Sequence, residues 1–151
     1  MNMKIITLFI LLIGFSEPAF CQDNIIKLGS EVTFQLSKDK NNGYSYTIIS
    51  NKPIDSIISL NNNFLKDDVD SNQVKIVFGK GKFGDQDQTF LIIKSGLSVN
   101  LQYAAKIKFA GTDIFKDVSV NPVFKNVKSM EAWPNNDMTE IIIDDFKESD
   151  Y

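Results

Sequence analysis

Apolar and polar residues alternate with a period of two over residues 97–109. Leu97, Val99, Leu101, Tyr103, Ala105, Ile107 and Phe109 fall on one face, and Ser98, Asn100, Gln102, Lys106 and Lys108 on the other. This pattern predicts a long strand with one face on a core and the other in water. Shorter runs rich in β-branched and aromatic residues occupy 31–36, 44–50, 54–60, 73–78, 88–93, 118–124 and 139–146. Turn-forming clusters at 38–43, 51–53, 61–63, 79–84, 95–96 and 134–137 separate them. No window keeps a helical period. Short strands at this spacing predict an all-β fold, a single antiparallel β-sandwich of immunoglobulin-like general architecture. Its core is expected to include Phe34, Tyr46, Ile76, Phe78, Phe90, Ile92, Tyr103 and Ile141.

The first 21 residues do not fit this scheme. A short basic start ending at Lys4, an apolar run over 5–15 and the triplet Ala19-Phe20-Cys21 read as a removable export signal. The apolar run is shorter than the roughly 20 residues of a spanning helix, so no transmembrane segment is expected. The expectation is a signal peptide at 1–21, one β-sandwich domain at 22–151, and a secreted or periplasmic location. Cleavage after Cys21 is the reading adopted. The alternative is a lipid anchor on Cys21, although lipoprotein signals place a small residue where Phe20 stands.

Composition narrows the chemistry further. The chain has no His and one Cys, which lies in the export segment, and every cationic side chain is Lys. The mature body therefore has no Ser-His-Asp triad, no thiolate nucleophile and no His/Cys zinc site. It also has no arginine fork for bidentate phosphate recognition. A net charge of −3 gives no footprint for nucleic acid. No cofactor is expected.

Four local patterns remain. Asp68, Asp70 and Asn72 match the opening of a calcium loop, in which alternate oxygens converge on a hard cation. Gln73 then stands where the sharp turn wants Gly, and Gly79 where a bidentate Glu should close the loop; an acidic turn before a strand is the other reading. The Gly- and Lys-rich stretch 79–84, containing Gly81 and Gly84, looks superficially like a phosphate loop, but no helix follows to hold an anion, so a hairpin is expected. Glu31, Glu131, Glu140 and the aspartates could supply a hydrolytic carboxylate pair, though nothing in the sequence selects one. Trp133, the only Trp, precedes Pro134 and could serve as an exposed aromatic anchor or pack the end of the core.

Residues 29–36 followed by Asn41-Asn42-Gly43-Tyr44-Ser45-Tyr46 resemble the first motif of chagasin-type inhibitors of papain-like cysteine peptidases. In that family a strand leads into an N-P-T-T-G-[FY]-x-W loop that presses on the peptidase active site. Residues 79–84, leading to Gln88-Thr89-Phe90, are similar to the family's Gly-rich loop. Residues 96–103 are similar to the strand before its R-P-W loop. The resemblance implies that Asn41, Asn42 and Gly43 form the inhibitory tip, with Tyr44 at its base and 79–84 flanking it. The chain departs from the family at Lys40-Asn41-Asn42, where P-T-T is usual, and after Tyr103, where Ala104-Ala105-Lys106 replaces the R-P-W region. The segments 101–107, 119–123, 131–134 and 141–146 resemble a group of secreted bacterial β-sandwich proteins, a likeness that implies fold and compartment only.

The expected function is a secreted, non-enzymatic binding module whose sandwich loops meet a protein or glycan partner. The alternatives are a chagasin-like peptidase inhibitor and a carboxylate-based hydrolase.

Overall fold

Strands that alternate apolar and polar residues can bury the apolar face only against another sheet, and two sheets are what this chain forms. The computed structural model describes residues 24–54, 57–59, 68–134 and 137–150. The expected export segment, Cys21 included, lies outside the described residues. The strands are β1 (Ile25–Lys27), β2 (Ser30–Lys38), β3 (Tyr44–Pro53), β4 (Ile58–Ser59), β5 (Gln73–Phe83), β6 (Gln86–Ser95), β7 (Leu101–Phe109), β8 (Phe115–Val118), β9 (Lys128–Pro134) and β10 (Met138–Glu148). Sheet I has the order β1-β10-β7-β8, and sheet II the order β3-β2-β5-β6-β9. Pairing is antiparallel except where β4 runs parallel to β5 at Gly81 and Lys82. No helix occurs among the described residues.

The fold is therefore an all-β sandwich of two antiparallel sheets. Its strand order keeps the β2–β3 hairpin within one sheet, whereas the immunoglobulin order puts its second and third strands in opposite sheets.

Residues alternating along β2, β5, β7 and β10 meet in one core. Four rings join the layers at its centre. Phe34 and Tyr46 of sheet II lie 5.3 Å apart edge to face, and each packs on Phe146 of sheet I, at 5.8 and 5.5 Å. Tyr103 completes the group 6.3 Å from Phe146. The Tyr46 hydroxyl accepts a hydrogen bond from the Asn24 side chain, so its polar end is satisfied where it leaves the core.

The continuous apolar runs in β5 and β6 have a different cause. Ile76, Phe78, Leu91 and Ile93 enter the main core, while Val77, Phe90 and Ile92 form a second buried cluster with Ile54 and Ile58. Phe90 and Ile92 are thus buried as expected, but on the opposite face. A strand covered on both faces reads as an unbroken apolar run, and here the connection from β3 supplies the cover.

That cover explains the glycines. The expected turn over 79–84 is corrected to strand as far as Phe83, with a tight reversal at Gly84, whose φ is 61°. A Cβ on Gly81 would run into the Ile58 carbonyl oxygen and lie 2.6 Å from the Phe90 ring; one on Gly79 would lie 2.8 Å from Ile54 Cδ1. Close approach of the connection to the sheet is the reason for both.

Two other boundaries differ from expectation, and one strand carries an irregularity. The strand predicted over 97–109 begins at Leu101, because residues 96–100 carry the chain from sheet II to sheet I. Ser95 Oγ accepts the Leu97 N–H at 3.1 Å there. The strand predicted over 118–124 ends at Val118, and only Val123 makes a further bridge, to Leu101. At one end of the described order of sheet II, β3 carries a bulge: Thr33 pairs with Ser50 and Phe34 with Ile48, which leaves Ile49 extra and exposed.

Candidate functional site

The expected binding residues divide between the two ends of the sandwich. Asn41, Asn42 and Gly43 form the β2–β3 tip. Asp39 Oδ1 accepts the N–H groups of Asn41 at 2.7 Å and Gly43 at 3.0 Å, and Asn42 takes the left-handed φ of 59° that the reversal requires. The tip is tied across the sandwich to the end of β10. The Glu148 N–H donates to the Asn42 carbonyl at 3.2 Å, and Glu148 Oε1 accepts from the Tyr44 hydroxyl at 2.9 Å and from Lys38 Nζ at 2.7 Å. Burial, then the hydrogen bond to Glu148, then the Glu148 charge push the Tyr44 pKa up to about 12. The hydrogen bonds from Lys38 and Tyr44 hold the Glu148 carboxyl below its usual range.

Gly81 and Gly84 stand at the other end. β2 pairs with β5 from Gln35 opposite Gln73 to Ser30 opposite Phe78, and β5 continues to Phe83. The tip of β2–β3 and the tip of β5–β6 are therefore separated by the length of β5, roughly 30 Å. The flanking of 41–43 by 79–84 that the peptidase-inhibitor resemblance implies is not formed. Trp133 shares the end with Gly81, pairing with Thr89 and packing half-buried against the core. Its ring serves the core in place of standing out as an anchor.

Asp68, Asp70 and Asn72 lie near the β2–β3 end. Asp70 accepts the Gln73 N–H on its carbonyl and the Gln73 side-chain amide on Oδ2, both at 2.9 Å; the Asn72 carbonyl accepts the Leu36 N–H at 2.8 Å. Asp68 Oδ1 lies 3.9 Å from Lys94 Nζ. These oxygens build the turn into β5, and among the described residues no three His, Cys, Asp or Glu side chains gather as a metal site.

A concavity beside β7 involves none of those positions. A groove of about 460 Å³ opens beside β7, lined by Gln102, Tyr103, Ala104, Val120, Asn121, Pro122, Phe124, Asp145 and Lys147. Two irregularities build it. The first is a bulge in β10: Ala104 pairs with Asp144 and Gln102 with Lys147, so Asp145 and Phe146 together face Tyr103. Asp145 has a φ of 53°, which lets Phe146 turn into the core while Asp145 and Lys147 face outward, their side chains 2.7 Å apart.

The second is the outward bow of residues 119–122. Glu131 Oε1 accepts both the main-chain N–H of Asn121, at 2.7 Å, and its side-chain Nδ2, at 2.8 Å. Ser129 Oγ donates to the Pro122 carbonyl at 3.1 Å, and the Lys125 N–H donates to Asn100 Oδ1 at 3.0 Å. The wall thus hangs from β9 and the β6–β7 connection, with Phe124 standing 46 % exposed at its rim. Tyr103 lines the groove beside this wall, its ring packed inward on Phe146. Burial, with the nearby Glu131 charge adding to it, raises its pKa and keeps the phenol neutral.

The arrangement combines an exposed ring, a proline, two side-chain amides and one ion pair. It holds a single carboxylate, Asp145, already engaged by Lys147. That mixture suits reversible binding of a part-polar ligand. Residues 119–124 carried a sequence signal only as part of a β-rich run containing Asn121-Pro122, and Asp145 only as an acidic residue within the run 139–146.

Comparison with protein-family models, with curated proteins and with solved structures finds no match to this chain.

Proposed function

We propose that this chain is a non-catalytic binding module acting outside the cytoplasm, and that the groove beside β7 is its ligand site. The observation that carries the reading is the groove itself: two departures from regular pairing, each held by specific hydrogen bonds, leave an open space lined by Phe124, Pro122, Asn121 and Gln102. Interruptions of this kind are concentrated where a sheet presents groups to a ligand. The export pattern at 1–21 supports the setting. A single carboxylate in the lining favours binding over hydrolysis, which needs two.

A thermal-shift screen of the purified protein against neutral and acidic oligosaccharides and short peptides tests the proposal. A groove ligand at one hundred times its Kd should stabilise the protein by about 2.7 kcal/mol, and Phe124→Ala should abolish that gain without changing the melting temperature of the free protein much. A ligand that stabilises both proteins equally would mean that another surface binds it.

A further inference from the structure

The hydrogen-bond ladder on one side of β7 is broken at a single rung. Leu101 exchanges both main-chain hydrogen bonds with Val123, at 2.9 and 2.8 Å, as the closely bonded pairs of an antiparallel ladder do. Two residues further along β7, the next N–H and C=O to point the same way belong to Tyr103. By count its partner would be Asn121, but Asn121 gives its N–H to Glu131, and the neighbouring Pro122 has none to give. Pairing resumes at Ala105 with Val118, so the four residues 119–122 stand opposite the three residues 102–104. Among the described residues no main-chain hydrogen bond joins Tyr103 to 119–122. Tyr103 thus turns a main-chain donor and a main-chain acceptor towards the groove that it lines.

We propose that the groove takes a peptide segment of which one residue, extended and antiparallel to β7, completes this rung between the occupied ones at Leu101 and Ala105, with an apolar side chain seated on Phe124 and Pro122. The proposal rests on the groove being the ligand site and names the class of ligand. A residue in extended conformation points its own N–H and C=O to the same side, so one residue can accept from the Tyr103 N–H and donate to the Tyr103 C=O. The acetamido group of an N-acetylated sugar is a trans amide, whose N–H and C=O point in opposite directions. Such a group makes one of the two bonds and leaves the other group of Tyr103 unmet. The Asp145–Lys147 pair offers both signs of charge to the flanking residues of the peptide.

The test begins with a phage-displayed random heptapeptide library panned on the purified protein, followed by amide NMR of the isotopically labelled protein with the enriched peptide. The Tyr103 amide proton should shift and exchange more slowly. N-methylation scanned along the peptide should weaken binding about tenfold at the residue facing Tyr103, the loss of roughly one hydrogen bond, and much less at its two neighbours, whose N–H groups point away. Failure to enrich any peptide, an unmoved Tyr103 amide, or a flat methylation scan would overturn the proposal. If chitin oligomers move the Phe124 and Asn121 signals and leave Tyr103 unmoved, the peptide proposal falls while the groove stands as a ligand site. If an enriched peptide binds Phe124→Ala as tightly as the parent, both fall.

Discussion

Glu131 on β9 holds Asn121 by two hydrogen bonds to one carboxylate oxygen, from the main-chain N–H at 2.7 Å and from Nδ2 at 2.8 Å. One acidic side chain of sheet II thereby shapes a wall beside sheet I. Glu131→Ala removes the one acceptor of both hydrogen bonds at a site open to solvent, and the expected loss is about 1 kcal/mol. A lowered urea midpoint together with faster hydrogen exchange at the Asn121 amide would confirm the role. Unchanged exchange at Asn121 would show that the bow of 119–122 holds without Glu131.

Tyr103 and Gln102 are adjacent but face opposite ways. Tyr103→Asp forces a charge among Phe146, Phe34 and Tyr46, and should cost roughly 3 kcal/mol or more. Gln102→Asp, on the water side, should move stability by less than about 0.5 kcal/mol. Equal shifts of the urea midpoint would contradict the alternation on which the sandwich rests.

Gly81 and Gly84 are expected to fail for different reasons. Gly81→Ala would drive a Cβ into the Ile58 carbonyl and the Phe90 ring, with only strand shifts to relieve it, and should cost about 2 kcal/mol or more. Gly84→Ala meets open space but carries a φ of 61°, and the left-handed penalty of about 1 kcal/mol applies. Gly84→Asn should recover part of that loss and Gly81→Asn none, which melting temperatures of the four variants would show.

Two pH limbs follow from the cluster of Lys38, Tyr44 and Glu148. Glu148 has a lowered folded pKa, so the unfolded chain binds its proton first as pH falls, and stability should drop below about pH 4.5. Tyr44 is raised from 10.0 to about 12. Between those values the folded state keeps a proton that the unfolded state has lost, so stability declines as pH rises from 10 towards 12. Tyr44→Phe should flatten the alkaline limb without removing it, because buried Tyr103 titrates in the same direction. It should also flatten the acid limb, though less than Lys38→Met does, because Lys38 is the larger cause of the lowered Glu148 pKa. Urea midpoints measured across both ranges decide this, and an alkaline limb unchanged in Tyr44→Phe would contradict the Tyr44 assignment.

Much of the sandwich could be read from the chain. Leu101, Tyr103, Ala105 and Ile107 announce a half-buried strand by alternation, whereas the unbroken runs at 76–78 and 90–93 announce strands without showing that Phe90 and Ile92 face a second cluster. β9 was hidden because its inward positions include Ser129 and Glu131, polar residues used to hold the bow of 119–122, so its hydropathy does not alternate. β1 is too short to show a period. The site was least legible. The turn at Asn41-Asn42-Gly43 was visible from local chemistry, yet its binding to Glu148 depends on a residue more than a hundred positions away. Asp145 and Asn121 matter through interruptions of pairing, and an interruption leaves no periodic trace. The place of Gly81 under Ile58 likewise depends on where the β3 connection crosses the sheet.

The extra residue at Ile49 has a consequence for the company this protein keeps. β3 is the long outer strand of sheet II, and a flat outer strand of ten residues is a template on which a second copy could zip. The bulge twists the strand midway, and Lys52 and Pro53 close its far end with a charge and a missing donor. The strand is thereby guarded against edge-to-edge fibre growth between copies. Deleting Ile49 should straighten the edge and let copies of the chain pair along it, which light scattering of the variant beside the parent would show.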